Sequence, residues 1–273
     1  MDLTNKKTLI ETLKRHNLWA KKRFGQNFLI SRNVLETIVK TGEISREDHI
    51  VEVGAGLGTL TIELEKYAGK VTAIEADKTL IPILEEHIQK AEIIQGDALK
   101  LPPPKTKYKV IANIPYQITS PLLTHFLTAK NSPEKIVFLI QKEVAEKICA
   151  KEGHLNVLAI TVQAFGTPKI IEKVSNGCFY PSPKVESAII EIKSLKDPLV
   201  SKEEFPEFIE LVKKGFSQKR KKLINSLSNA AKIKTEILKS VFAELGMHEN
   251  TRAQELGIKD WRTLLRKLKL ARV

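Results

Sequence analysis

Cysteine is almost absent from the 273 residues, with only Cys149 and Cys178. They stand 29 positions apart without a CxxC pair or a histidine-rich neighbourhood, which argues against a zinc site and offers no disulfide framework. Both are expected to be packing residues, and no metal is expected. Long apolar runs are missing too. Ile136-Val-Phe-Leu-Ile140 is strand-sized, well short of the ~20 residues a membrane span needs. No apolar stretch follows Lys6 and Lys7, so no secretory signal is read. Asp2 and Glu11 among Lys14 and Arg15 do not fit an acid-poor transit peptide. A cytoplasmic protein with no membrane partner is expected. There is no internal repeat and no low-complexity tract.

Negative charge is in deficit, with 45 Lys and Arg against 32 Asp and Glu, a net +13. Residues 1–30 carry +5 and residues 201–273 carry +8, while residues 31–200 are neutral. Basic segments attract polyanions by counterion release, so RNA, DNA or acidic lipid are the natural partners. Hydrophobic content of 42% and charged content of 28% belong to a folded, soluble chain.

From about residue 50, strand-like and helix-like segments alternate. His49–Val53 reads as a buried strand, Thr59–Tyr67 as a helix, and Lys70–Ile74 as a second strand. Leu80–Leu84 lies in or at the start of a helix, Glu92–Gln95 and Tyr108–Ala112 are strands, Pro121–Ala129 is a helix and Glu134–Ile140 a fifth strand. This alternation implies a parallel sheet with helices on both faces. Pro168–Val174 and Val185–Ile192 are two further strand-like runs, read as a hairpin that completes a mostly parallel seven-stranded sheet. After Asp197-Pro198 the pattern is helical. Trp261, Leu264, Leu265 and Leu268 share one helix face, away from Arg262, Arg266, Lys267 and Lys269. The expected domains are 1–199, α/β, and 200–273, small and all-α.

Val51-Glu-Val-Gly54-Ala-Gly56-Leu-Gly58 puts glycines where the first strand turns into its helix, which permits a tight turn and close approach of a ligand to backbone. Glu75 ends the second strand, where a carboxylate can accept from both ribose hydroxyls of a nucleoside. Asp97 ends the third, where it can accept from an adenine amine. The GxGxG spacing does not suggest a cradled pyrophosphate. A nucleoside without phosphates fits, and S-adenosylmethionine is the candidate cofactor.

Asn113-Ile-Pro-Tyr116 closes the fourth strand. An adenine N6 amine is a poor nucleophile because its lone pair is delocalised into the ring. An Asn oxygen and a backbone carbonyl that accept its two hydrogens would draw that pair out of conjugation. Pro115 fixes φ and orients the adjacent carbonyl, and Tyr116 can stack on the base. Rate would then come from positioning and desolvation.

Asn113-Ile-Pro-Tyr116 resembles the motif of amino-methyltransferases that act on adenine, and the flanking text resembles the ribosomal RNA adenine dimethyltransferase family. Arg23-Phe-Gly-Gln-Asn-Phe-Leu29 is similar to its N-terminal cofactor-gating motif, and Phe179-Tyr-Pro-Ser-Pro-Lys-Val-Glu-Ser187 to its late target-binding loop. Phe216–Leu223 and Arg252–Leu256 are similar to stretches of its helical domain. The resemblance spans roughly residues 10–270 and implies a Rossmann-like class I methyltransferase. It implies cofactor contacts from Asn27, Leu29, Gly54, Gly56, Glu75, Ala76, Asp97, Ala98 and Asn113, and a catalytic set of Asn113, Pro115, Tyr116 and Phe179, the aromatics sandwiching the target base. Ala55 stands where many relatives have Pro. The wording suits the branch that dimethylates two adjacent adenosines near the 3′ end of small-subunit rRNA in a pre-ribosomal particle. A large-subunit methylase of the antibiotic-resistance kind and a non-catalytic assembly factor are the alternatives. Lys219, Arg220, Lys221 and Lys222 are expected to grip rRNA phosphates, and a monomer is the default.

Overall fold

The computed structural model describes residues 2–218 and 220–271. In chain order its elements are α1 (Lys6–Arg15), β1 (Phe28–Leu29), α2 (Arg32–Gly42), β2 (His49–Val53), α3 (Thr59–Tyr67), β3 (Lys70–Glu75), α4 (Ile81–His87), β4 (Glu92–Gln95), β5 (Lys109–Asn113), α5 (Thr119–Thr128), β6 (Lys135–Gln141), α6 (Lys142–Ile148), α7 (Val157–Gln163), β7 (Gly166–Val174), β8 (Phe179–Tyr180), β9 (Ser187–Ser194), α8 (Phe205–Gly215), α9 (Leu223–Ala231), α10 (Thr235–Glu244) and α11 (Ile258–Leu270). Two compact units form. One holds the chain up to Glu146 with Pro168–Ser194, and the other holds Lys147–Thr167 with the chain from Leu195 onward. The sequence pattern places one boundary at 199, whereas α7 and its flanks group with the helical tail.

The first unit is built on a seven-stranded sheet in the order β4-β3-β2-β5-β6-β9-β7. β4, β3, β2, β5 and β6 are mutually parallel, and β9 runs antiparallel to β6. This is a Rossmann-like α/β arrangement. β6 is buried along nearly its whole length, as a parallel strand covered on both faces must be. Its Lys135 ammonium remains charged there because Glu43 and Glu191 lie 2.5 and 3.0 Å away. α2 begins where Ser31 Oγ accepts from Val34 N–H, and its apolar face lays Val34, Leu35 and Ile38 into the core. There they meet Ile50, Leu64, Ile111, Val137 and Ile189. Each such side chain contributes about 1.5–3 kcal/mol on full burial.

Between β7 and β9 the chain makes more than a hairpin loop. β8 leaves the large sheet and pairs antiparallel with β1, matching Phe28 to Tyr180 and Leu29 to Phe179. The N-terminal segment is thereby tied to the loop before β9.

In the second unit, α11 buries Trp261, Leu264, Leu265 and Leu268, the face its spacing specifies. The Trp261 ring stacks on Phe216 with centroids 6.0 Å apart. Gly215 is required beneath it, since a Cβ there would lie 2.3 Å from Trp261 Cη2. The basic face of α11 meets acids of its own unit: Arg262 and Arg266 reach Glu204 at 2.9 and 3.5 Å, and Lys267 reaches Glu244 at 3.0 Å. Among the described residues no helix is long and apolar enough to cross a membrane.

Candidate active site

β2 has β3 on one side and β5 on the other, with the chain returning across it. A crevice opens outside the carboxyl ends of such strands, because the following connections diverge to opposite faces. Here it becomes a pocket lined by residues 24–29, the glycine turn after β2, the ends of β3, β4 and β5, and Ile118. Its volume, including the open mouth, is about 950 Å³, the scale of a small-molecule site. Gly54 and Gly56 have φ of +75° and +61°, conformations costly for residues with a Cβ. A Cβ on Gly54 would lie 3.3 Å from Pro115 Cδ, and one on Gly56 3.4 Å from Phe28 Cε1. The turn therefore touches both the acceptor motif and the N-terminal segment.

Glu75 is buried at the end of β3. One carboxylate oxygen accepts from Asp77 N–H and the other from Gly56 N–H, each at 2.8 Å. Burial pushes its carboxyl above the usual range, against these two donors and the Ala76 N–H. A carboxylate has about four acceptor sites, so these backbone donors leave capacity for a further hydroxyl donor. Asp97 is exposed and accepts from Leu99 N–H at 3.0 Å, while Ala98 beside it is buried. Among the described lining residues there is no Lys or Arg, but there are three acids, Glu52, Glu75 and Asp97. A pyrophosphate would find no cation in this wall. A nucleoside with a positively charged substituent suits it.

The N-terminal segment lies over the pocket because a buried carboxylate holds it there. Asp77, 1% exposed, accepts from Lys21 Nζ and Gln26 Nε2, each at 3.0 Å, and from Thr79 Oγ1 at 2.8 Å. Burial opposes its ionisation, but Lys21, Thr79 and Gln26 together hold its carboxyl below the usual range. Gln26 Oε1 accepts in turn from Lys21 N–H, so residues 21–26 close on themselves around Asp77.

At the end of β5, Asn113 Nδ2 donates to Asn27 O at 3.2 Å. That bond orients the amide and leaves Oδ1 as its acceptor. Pro115 O accepts from Ile118 N–H, and Ile114 and Pro115 both line the pocket. Tyr116 is half-buried and its hydroxyl bonds Ser187 Oγ at 2.7 Å. Burial raises the phenol's pKa, with Ser187 opposing.

The pocket wall thus gathers Asn27, Leu29, Gly54, Gly56, Glu75, Ala76, Asp97, Ala98, Asn113, Pro115 and Tyr116. Phe179 is placed elsewhere. It is 3% exposed, opposite Leu29 and within the core cluster of the first unit. In the second unit Arg220, Lys221 and Lys222 are exposed in the turn that leads into α9, and Lys219 lies outside the described residues.

The sequence from residue 17 to 269 matches the family model described as ribosomal RNA adenine dimethylase. The chain belongs to that family. A family relative from Alkaliphilus oremlandii, named ribosomal RNA small subunit methyltransferase A, is 38% identical over 97% of this chain and 98% of its own. Among solved structures, a dimethyladenosine transferase from Plasmodium falciparum is similar with a TM-score of 0.77 and 27% identity, over 90% of this chain and 98% of that one. The 23S rRNA methyltransferase ErmE is similar with a TM-score of 0.68 and 27% identity, over 89% and 100%.

Sequence reasoning passed over four polar residues of this site. Glu52 lines the pocket fully buried, accepts from Thr61 Oγ1 at 2.6 Å, and is pushed up to about 8 by burial, against the Thr61 bond. Lys21, Asp77 and Ser187 act through partners 56 and 71 positions away. Only the acidic residue two positions before Gly54 carried a local signal.

Proposed function

We propose that this protein transfers methyl groups from S-adenosylmethionine to the N6 amines of two adjacent adenosines in a hairpin near the 3′ end of small-subunit rRNA, within a pre-ribosomal particle. The observation that carries the reading is the Asn113-Ile-Pro-Tyr116 turn, set beside a glycine-lined pocket with acids and no described cation in its wall.

The residues present fit this cofactor. Glu75 offers its remaining acceptor capacity to the ribose hydroxyls, Asp97 and Ala98 take the adenine, and Gly54 and Gly56 admit the methionine end. Bound there, S-adenosylmethionine supplies a methyl group on a positively charged sulfur. Asn113 Oδ1 and the Ile114 carbonyl accept the two hydrogens of the target amine, so its lone pair turns out of the ring plane's conjugation. The amine would take the methyl as its bond to the sulfonium sulfur breaks and a neutral thioether leaves, and the cationic nitrogen would then lose a proton to water. Tyr116, steadied by Ser187, stacks on the base, a common way of holding an unpaired adenosine. A matching role for Phe179 requires its ring to leave the core. Arg220, Lys221 and Lys222, with Lys219, hold rRNA phosphates.

Labelled S-adenosylmethionine, offered with unmethylated small and large ribosomal subunits and followed by nucleoside analysis, tests this. N6,N6-dimethyladenosine in small-subunit rRNA is the expected result. Label confined to the large subunit would instead make the enzyme a counterpart of the ErmE-like neighbour. Cofactor binding with no label would favour a non-catalytic assembly role.

A further inference from the structure

Trp19 is 72% exposed, the most exposed aromatic among the described residues. It is not on a frayed end. Leu18 and Ala20 on either side both pack against the cluster that includes Leu9, Leu13, Phe28 and Leu57. Leu18 N–H donates to Leu13 O at 2.8 Å, and three residues on, Lys21 is fixed on Asp77 and Thr79. The indole is therefore held outward by a segment whose neighbours face inward. Its neighbours along the chain are basic: Lys14, Arg15 and Arg23 are exposed, with Arg15 3.6 Å from Glu86, and Lys78 is exposed next to Asp77, which binds Lys21. Phe24, five positions on, already lines the pocket, and five extended residues reach at most about 18 Å.

We propose that Trp19 is a stacking platform for an unpaired base of the RNA substrate, a few nucleotides from the base in the active site. The inference rests on the reading of the substrate as RNA. A base has two flat apolar faces and a charged backbone, and an outward indole on a basic stretch of chain complements both. A protein or lipid partner would call for a contiguous apolar patch, whereas the exposed residues flanking Trp19 in sequence, Lys14, Arg15, Asn17 and Arg23, are charged or polar. Because residues 21–29 continue from it into the pocket wall, a base stacked here also rests against the segment that covers the cofactor site.

The test uses intrinsic fluorescence of the full chain. The only other tryptophan, Trp261, is completely buried, so quenching on RNA addition reports Trp19. A short single-stranded oligoadenylate should quench strongly, and an abasic strand of the same length and charge only weakly. Trp19→Ala should weaken oligoadenylate binding about tenfold, leaving abasic-strand binding, cofactor affinity and the salt slope unchanged. Trp19→Phe should recover most of the loss. Equal quenching by the abasic strand, or unchanged oligoadenylate affinity in Trp19→Ala, overturns the platform. Quenching by anionic phospholipid vesicles but not by RNA also overturns it. Methyl transfer to small-subunit rRNA is measured on the wild type in parallel. Transfer without base-dependent quenching sinks this inference alone, and quenching without transfer sinks the proposed reaction while supporting the platform.

Discussion

Glu52 stores a pH-dependent stability term that one substitution should remove. It is 1% exposed, its hydroxyl partner is the equally buried Thr61, and burial raises its pKa from 4.5 to about 8. Between those values the folded protein holds a proton that the unfolded chain has lost. Stability contributed by the protonated group is therefore complete below about pH 4.5 and is lost as pH rises through 8. At about 1.4 kcal/mol per pH unit, the full span corresponds to about 5 kcal/mol, and relaxation around a buried carboxylate leaves at least about 2 kcal/mol of it. Glu52→Gln keeps the shape and the bond from Thr61 but cannot ionise. Urea unfolding followed by circular dichroism at pH 5 to 9 should show the variant gaining on the wild type by about 2 kcal/mol or more across that range. Parallel stability profiles for the two proteins would refute the argument, because every other titrating group is common to both.

Asn113→Ala should abolish methyl transfer with the fold intact, measured by labelled cofactor and circular dichroism, and full activity in it would end the proposed role. Ser187→Ala removes the buried partner of the Tyr116 hydroxyl; it should cost about 1 kcal/mol of stability and lower kcat several-fold with cofactor affinity unchanged. Tyr116→Phe added to it should cost little more. Lys21→Met leaves Asp77 buried with only Gln26 and Thr79, and should destabilise by about 3 kcal/mol. It should also weaken cofactor binding in a calorimeter, with Asp77→Asn in the same chain restoring much of the stability. Replacing Arg220, Lys221 and Lys222 by Gln should weaken rRNA binding and flatten the log–log salt dependence by about 0.9 for each phosphate that is no longer neutralised.

The alternation of strands and helices was legible in the sequence because each element carries its own period and its own breaker. β2, α3 and β4 match the expected bounds residue for residue, and α11 buries the expected face. The glycine turn, Glu75, Asp97 and Asn113 were legible for the same local reason, since a strand end, a turn and the side chain beside it are contiguous in sequence. The helices α1, α2, α6 and α7 were not assigned, and the grouping of α7 with the tail depends on packing between segments far apart in the chain. The pairing of β1 with β8, the Lys21–Asp77 bond and the Tyr116–Ser187 bond are likewise non-local. Period and turn chemistry say nothing about which distant partner a side chain meets. Phe179 shows the limit most sharply. Its neighbourhood in the sequence points to a base-binding loop, while the structure places its ring in the core against Leu29. Local composition determined which elements form and where the chemistry sits on them. Tertiary structure alone decided burial, and with it the protonation of Glu52 and the anchoring of the N-terminal segment over the pocket, because desolvation and long-range pairing depend on the whole assembled unit.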